Sequence, residues 1–131
     1  MSLPSLVFAA AQRHSKTSPV EVHRLKIRLA KLVLGQATPS AVNQLELAER
    51  FVNGQSTREE LADARQDAWT YIGSLACYCS VTDSASSQAV LSCLESDPAA
   101  HDFSSLLEQS ERVLRCGVAD ATLAHELEAS D

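Results

Sequence analysis

Helix punctuation constrains this chain more than any other feature, because capping residues recur at intervals that leave room only for short and medium helices. Ser18-Pro19-Val20-Glu21 sets an acceptor hydroxyl before a proline at the first helical position, with an acid two residues further on. Gly35 stands where a left-handed residue ends such a turn, which frames a helix over 19–34. Thr38-Pro39 opens the next segment, in which Val42, Leu45, Ala48 and Val52 recur at three- and four-residue steps until Asn53-Gly54. Thr57-Arg58-Glu59-Glu60 is a second capping box and heads a long helix reaching to about Cys79. Its core stripe is Leu61, Ala64, Ala68, Ile72, Leu75 and Cys79. Asp83 and then Asp97-Pro98 begin two further helices. The second carries Phe103, Leu106, Leu107, Val113 and Leu114 on one side and stops at Gly117; a last short helix, about 121–129, follows Asp120.

Strands do not compete. Leu25-Lys-Ile-Arg-Leu29 alternates with period two, yet Val22, Leu32 and Val33 restore the helical period around it. With 131 residues, the expected product is a single all-α domain over 1–131, a bundle of five to seven helices with short loops. Residues 1–17 are expected to be a flexible or loosely packed lead-in. The longest apolar runs, such as Leu6 to Ala11, fall far below the roughly 18 residues a membrane span requires, so no membrane association is expected. Met1 to Ala11 lacks a basic stretch before its apolar run, unlike a secretory signal, and the basic, acid-free Met1–Val20 shows no periodic arginine face of a transit peptide. The cytoplasm is the expected compartment.

The middle of the chain, Ala48-Glu-Arg-Phe-Val-Asn-Gly-Gln-Ser-Thr-Arg-Glu-Glu-Leu-Ala-Asp-Ala-Arg65, resembles a helix-loop-helix segment of alanine-rich bacterial proteins. The resemblance covers 48–65 only. It implies a local fold and a bacterial origin, and it implies no chemistry.

The net charge of -6 hides an asymmetry. Residues 1–34 hold six basic side chains against one acid, which leaves five basic and sixteen acidic residues for the remainder. An acidic chain binds nucleic acid poorly, because that affinity comes largely from cations that displace counterions, so only the 19–34 helix offers such a surface. Arg24, Arg28 and Lys31 form its basic edge, flanked by Leu25, Leu29 and Leu32 on one side and by Ile27 and Leu34 on the other. Apolar residues on both sides of a basic edge suggest a helix wedged between neighbours, with those charges solvated or paired within the fold. Contact with nucleic acid is the alternative, and the absence of interleaved aromatic residues counts against it.

The strongest surface feature is acidic. Glu59, Asp63 and Asp67 are spaced four residues apart, with Glu60 beside them, opposite the apolar stripe of the long helix. Like charges at that spacing cost a few tenths of a kcal/mol per pair, so the row does not stabilise the helix. Solvation, together with the attraction of Glu59 and Glu60 to the positive helix end, explains it in one way. A docking face for a basic partner explains it in another. Trp69, one turn from Arg65, is expected either to pack in the core with the guanidinium over its ring or to anchor a partner interface.

Catalytic signals are sparse. His14, His23, His101 and His125 are scattered and read as surface histidines, and no phosphate-cradling glycine loop, G-x-S-x-G or H-E-x-x-H accompanies them. Among the four cysteines, Cys77 and Cys79 point to opposite sides of one helix and cannot together clamp a metal. Buried thiols acting as small hydrophobes are the expectation for all but Cys77, and a mixed site of Cys93, Cys116 and His101 or His125 lacks metal-site spacing. No metal or cofactor is expected. The sequence therefore points to a non-enzymatic protein-binding module, an acidic inhibitor, immunity-type protein or adaptor. It would dock on a basic protein such as a toxin or effector through Glu59, Glu60, Asp63, Asp67 and Trp69. The alternatives are a nucleic-acid-associated regulator using Arg24, Arg28 and Lys31, and a small enzyme or metal-binding protein; self-association stays open.

Overall fold

The computed structural model describes residues 19–33, 39–75, 81–97 and 100–128, together with Ser5 and Ala9. These build an all-α bundle of six helices, with no strand among the described residues: α1 (Pro19–Lys31), α2 (Pro39–Val52), α3 (Arg58–Leu75), α4 (Val81–Ser92), α5 (Phe103–Arg115) and α6 (Asp120–Glu128). No helix among them is long and apolar enough to cross a membrane.

The central element is α1, which packs against α2, α4, α5 and α6. Val22, Leu25, Ile27, Leu29 and Ala30 are buried along it, an arc of roughly 200° on the helical wheel that only a helix with neighbours on several sides can hide. The basic edge expected to be wedged occupies the remaining side. Leu45 and Ala48 of α2, Leu61 and Ala68 of α3, Ala89 and Val90 of α4, Leu106 and Val113 of α5, and Leu123 and Leu127 of α6 complete one continuous core. α3 lies against α2 and α4, while α6 lies against α1 and α5.

The second capping box forms as its residues dictate. Thr57 Oγ1 accepts from the Glu60 N–H at 3.1 Å, and Glu60 Oε1 accepts from the Thr57 N–H at 3.2 Å. Thr57→Ala should lower stability by about 1 kcal/mol and Thr57→Ser should leave it unchanged, read as urea midpoints. At the end of α2, Gly54 takes φ +76° and the Gln55 N–H reaches back to the Arg50 carbonyl at 2.7 Å, the six-to-one bond that closes a helix through a left-handed residue. Gly117, at φ +92°, is the left-handed residue that follows α5, and its N–H returns to the Leu114 carbonyl at 3.0 Å.

Several boundaries differ from the expectation. α1 ends at Lys31 in a tightened turn, with Leu32 N–H on the Leu29 carbonyl and Val33 N–H on the Ala30 carbonyl; Ser18, Leu34 and Gly35 lie outside the described residues. α3 is described to Leu75, and Cys77 and Cys79 lie outside. α4 is helical from Val81, two residues before Asp83. Asp97 does not begin α5. Its N–H bonds to Glu95 Oε1 and its carbonyl accepts from Ala100 in a turn, while Asp102 Oδ1 caps α5 through the Ser105 N–H at 2.9 Å. His101, whose buried ring bonds to the Glu95 carbonyl, stands between the 3₁₀ turn at Ala100 and the start of α5. Asp120 is the first residue of α6 rather than its cap, since the carbonyl of Ala119 accepts the first bond.

Candidate functional site

A cleft of about 560 Å³ opens between α3, the end of α4 and the start of α5, and its floor is a lysine. Lys26 sits on α1 one turn from Val22 and Leu29, inside the apolar arc, so folding of α1 carries its ammonium into the interior. Only 2% of its surface is exposed. Nζ donates to the Ser92 carbonyl at 2.9 Å and to His101 Nδ1 at 3.1 Å. Desolvation pushes the ammonium down to about 8, with Arg112 acting in the same direction and Asp102 and Glu95 opposing it.

The two histidines beside it are not on the surface, contrary to the expectation for His23 and His101. Both are buried and stack with ring centroids 3.8 Å apart and planes 14° from parallel. His23 Nε2 lies 2.6 Å from the Cys93 carbonyl and His101 Nε2 lies 2.9 Å from the Glu95 carbonyl, so each Nε2 carries the proton and donates it. His101 Nδ1 is left as an acceptor, the role that the Lys26 contact requires. Burial drives His23 down to about 3, with His101 and Lys26 adding like-charge repulsion. It drives His101 down to about 4, again with Lys26 contributing. Both rings are neutral at pH 7. His125 is exposed, and His14 lies outside the described residues.

Gln109 binds this cluster together. Wholly buried on α5, it donates from Nε2 to the Lys26 carbonyl at 3.0 Å and to the Ala89 carbonyl at 2.9 Å, and its Oε1 lies 2.8 Å from the Ser92 hydroxyl. Cys93 is a buried thiol beside it, pushed up to about 12 by burial, and Cys116 is likewise buried and raised by burial; neither is in a disulfide. Neither offers a thiolate near neutral pH. Among the described residues no three of His, Cys, Asp or Glu gather to hold a metal.

The sequence carried a signal for this cluster. His23 and Lys26 interrupt the apolar arc of α1, and Gln109 falls between Leu106 and Val113 at helical steps. A polar residue on the buried face of an amphipathic helix must find a partner inside.

The rim of the cleft is formed by α3. Trp69 is 50% exposed there and is not a core residue; Arg65 pairs with Glu95 at 3.4 Å. Beyond Trp69, the outer face of α3 presents Glu59, Glu60, Asp63 and Asp67, all exposed, and then Tyr71, 38% exposed. Asp67 and Tyr71 also line a second depression, against α2. Glu60 belongs to the capping box, whereas Glu59, Asp63 and Asp67 are paired with no cation among the described residues.

The basic edge of α1 is engaged within the fold. Arg24 pairs with Glu21 at 3.1 Å and reaches Asn53 Oδ1 at 3.3 Å, Arg28 pairs with Glu126 of α6 at 3.0 Å, and Lys31 pairs with Glu49 of α2 at 2.8 Å. These half-exposed pairs contribute little stability each, yet they occupy the cations that a nucleic-acid surface would need. Comparison with protein-family models, with curated proteins and with solved structures finds no match to this chain, so the chemistry of the cleft and of the α3 face has to come from their own residues.

Proposed function

We propose that this chain is a protein-binding module that docks on a basic partner through the outer face of α3. The observation that carries the reading is Trp69. A tryptophan half-exposed at the edge of a helix leaves a large apolar area in water, an arrangement typical of an interface anchor, and Tyr71 bounds the same face on its other side. Between these two aromatic residues lie Glu59, Asp63 and Asp67, carboxylates that pair with no cation among the described residues. Their summed field would steer a basic surface towards α3, raising the association rate and making binding fall as salt rises. The aromatic side chains would then bury against it. An inhibitor, immunity-type protein or adaptor works in this way, and a toxin or effector with a basic working surface is the class of partner that the charge favours.

The test is retention of a partner from cell lysate on the immobilised chain, followed by elution with a salt gradient. We expect a basic protein released by rising salt. Its retention should fall at least tenfold for Asp63→Lys with Asp67→Lys and for Trp69→Ala, while helical circular dichroism stays unchanged because these positions are exposed. Equal retention by both variants, or no salt-released protein at all, removes the reading.

A further inference from the structure

We propose that Lys26 is a covalent capture site, at which its side-chain nitrogen condenses with a small aldehyde or ketone entering the cleft, while His101 carries the proton. The argument begins with the two groups that hold the nitrogen. Both are neutral acceptors, the Ser92 carbonyl and His101 Nδ1, and among the described residues no carboxylate is bonded to Nζ. A carboxylate would lock the group as ammonium. Two neutral acceptors instead suit the free amine, whose two N–H bonds satisfy both and leave its lone pair for a molecule in the cleft.

The charged groups around it do not reverse this. Arg112 on α5 disfavours the ammonium, Asp102 and Glu95 favour it, and the thiol of Cys93 and ring of His23 are both neutral at pH 7. Burial outweighs the rest, so near neutral pH the free amine is far more populated at Lys26 than at an ordinary lysine. An amine desolvated in this way is the state in which lysine acts as a nucleophile.

The chemistry balances with the groups present. The nitrogen lone pair adds to the carbonyl carbon, and the C=O π pair moves onto oxygen to give a carbinolamine. Both amine hydrogens then leave with that oxygen as water, one of them by way of His101 Nδ1 at 3.1 Å, and the C=N bond forms. Nothing is oxidised or reduced. Trp69, Leu91 and Ala100 offer apolar surface for the carbon body, and Arg112 and Ser105 offer donors for a polar substituent. Trp69 borders both this cleft and the α3 face, but Lys26, Ser92 and His101, which carry the capture, lie away from the α3 carboxylates, so neither proposal depends on the other.

The chain contains three lysines, Lys16, Lys26 and Lys31, which makes the test direct. The full chain is treated with glyoxylate and cyanoborohydride at pH 7.5, the reductant trapping each imine as a stable adduct that peptide mass spectrometry assigns. Lys26 should be labelled about tenfold faster than the exposed Lys31, and its rate should level off above pH about 8. The preference should vanish in denaturant. Labelling of Lys26 no faster than Lys31 in the folded chain, or a preference that survives unfolding, overturns the proposal.

Discussion

Between pH 7 and pH 5 this protein should lose about 4 kcal/mol of stability, most of a small domain's margin, and it should lose it to two histidines. His23 and His101 are held neutral in the folded state, down to about 3 and about 4, whereas both return to 6.5 when the chain unfolds. Below pH 6.5 the unfolded chain therefore binds protons that the folded chain refuses, and each ring costs about 1.4 kcal/mol per pH unit until its folded value is reached. Urea midpoints measured from pH 7 to pH 5 should fall with a limiting slope of about two protons taken up per unfolding event. Imidazole resonances of the folded protein should show both rings neutral at pH 5. A flat profile over this range, or rings that titrate near 6.5, contradicts the buried stack. Lys26 has the same sign on the alkaline side. Its folded value is depressed from 10.5 to about 8, so the penalty for burying its charge is fully present below pH 8 and relieved as pH rises to 10.5. The histidine pair and the lysine together tilt the stability profile upwards with pH.

The backbone architecture was legible because its signals are local. The Thr57–Glu60 box, Asn53-Gly54 and Gly117 each act within one turn, and each forms as its residues dictate. The α1 helix reads as wedged because apolar residues flank its basic edge on both sides, and Arg24, Arg28 and Lys31 are all paired. The acidic row on α3 lies on the exposed face for the same reason of period. Contacts between distant residues were hidden. That His23 meets His101 across 78 positions, or that Lys26 meets Ser92, follows from how α1, α4 and α5 pack, and no spacing along the chain encodes it. Pattern alone left Trp69 undecided, because an aromatic side chain at the edge of an apolar stripe suits either a core or an exposed edge, and only the packing of α3 decides that it is half exposed. The start of α5 failed in a similar way, since Asp97-Pro98 and Asp102 are both plausible caps and it is Asp102 that caps the helix.

Gln109→Ala should be the most damaging single substitution in the polar cluster, costing about 4 kcal/mol. The side chain is wholly buried and bridges three helices, reaching the Lys26 carbonyl on α1 and the Ala89 carbonyl and Ser92 hydroxyl on α4 from its own position on α5. Truncation removes these three hydrogen bonds and a longer one to Cys93 Sγ at 3.6 Å, and leaves a void where α1, α4 and α5 converge. Gln109→Leu separates the two losses, because it restores most of the volume without any polar atom. Ser92 then loses Gln109 Oε1 but keeps the Ala89 carbonyl, 3.1 Å away, as an alternative acceptor. The leucine variant should therefore cost only about 1–2 kcal/mol, the value of the lost hydrogen bonds. Packing would account for the difference between the two variants. Equal urea midpoints for alanine and leucine would instead assign the whole effect to hydrogen bonding. Either variant also bears on Lys26, since Ser92 supplies one of the two acceptors for its nitrogen. Loosening that corner should raise the pH at which Lys26 titrates towards the ordinary lysine value, slowing glyoxylate capture at Lys26 at pH 7.5 while leaving Lys31 unchanged.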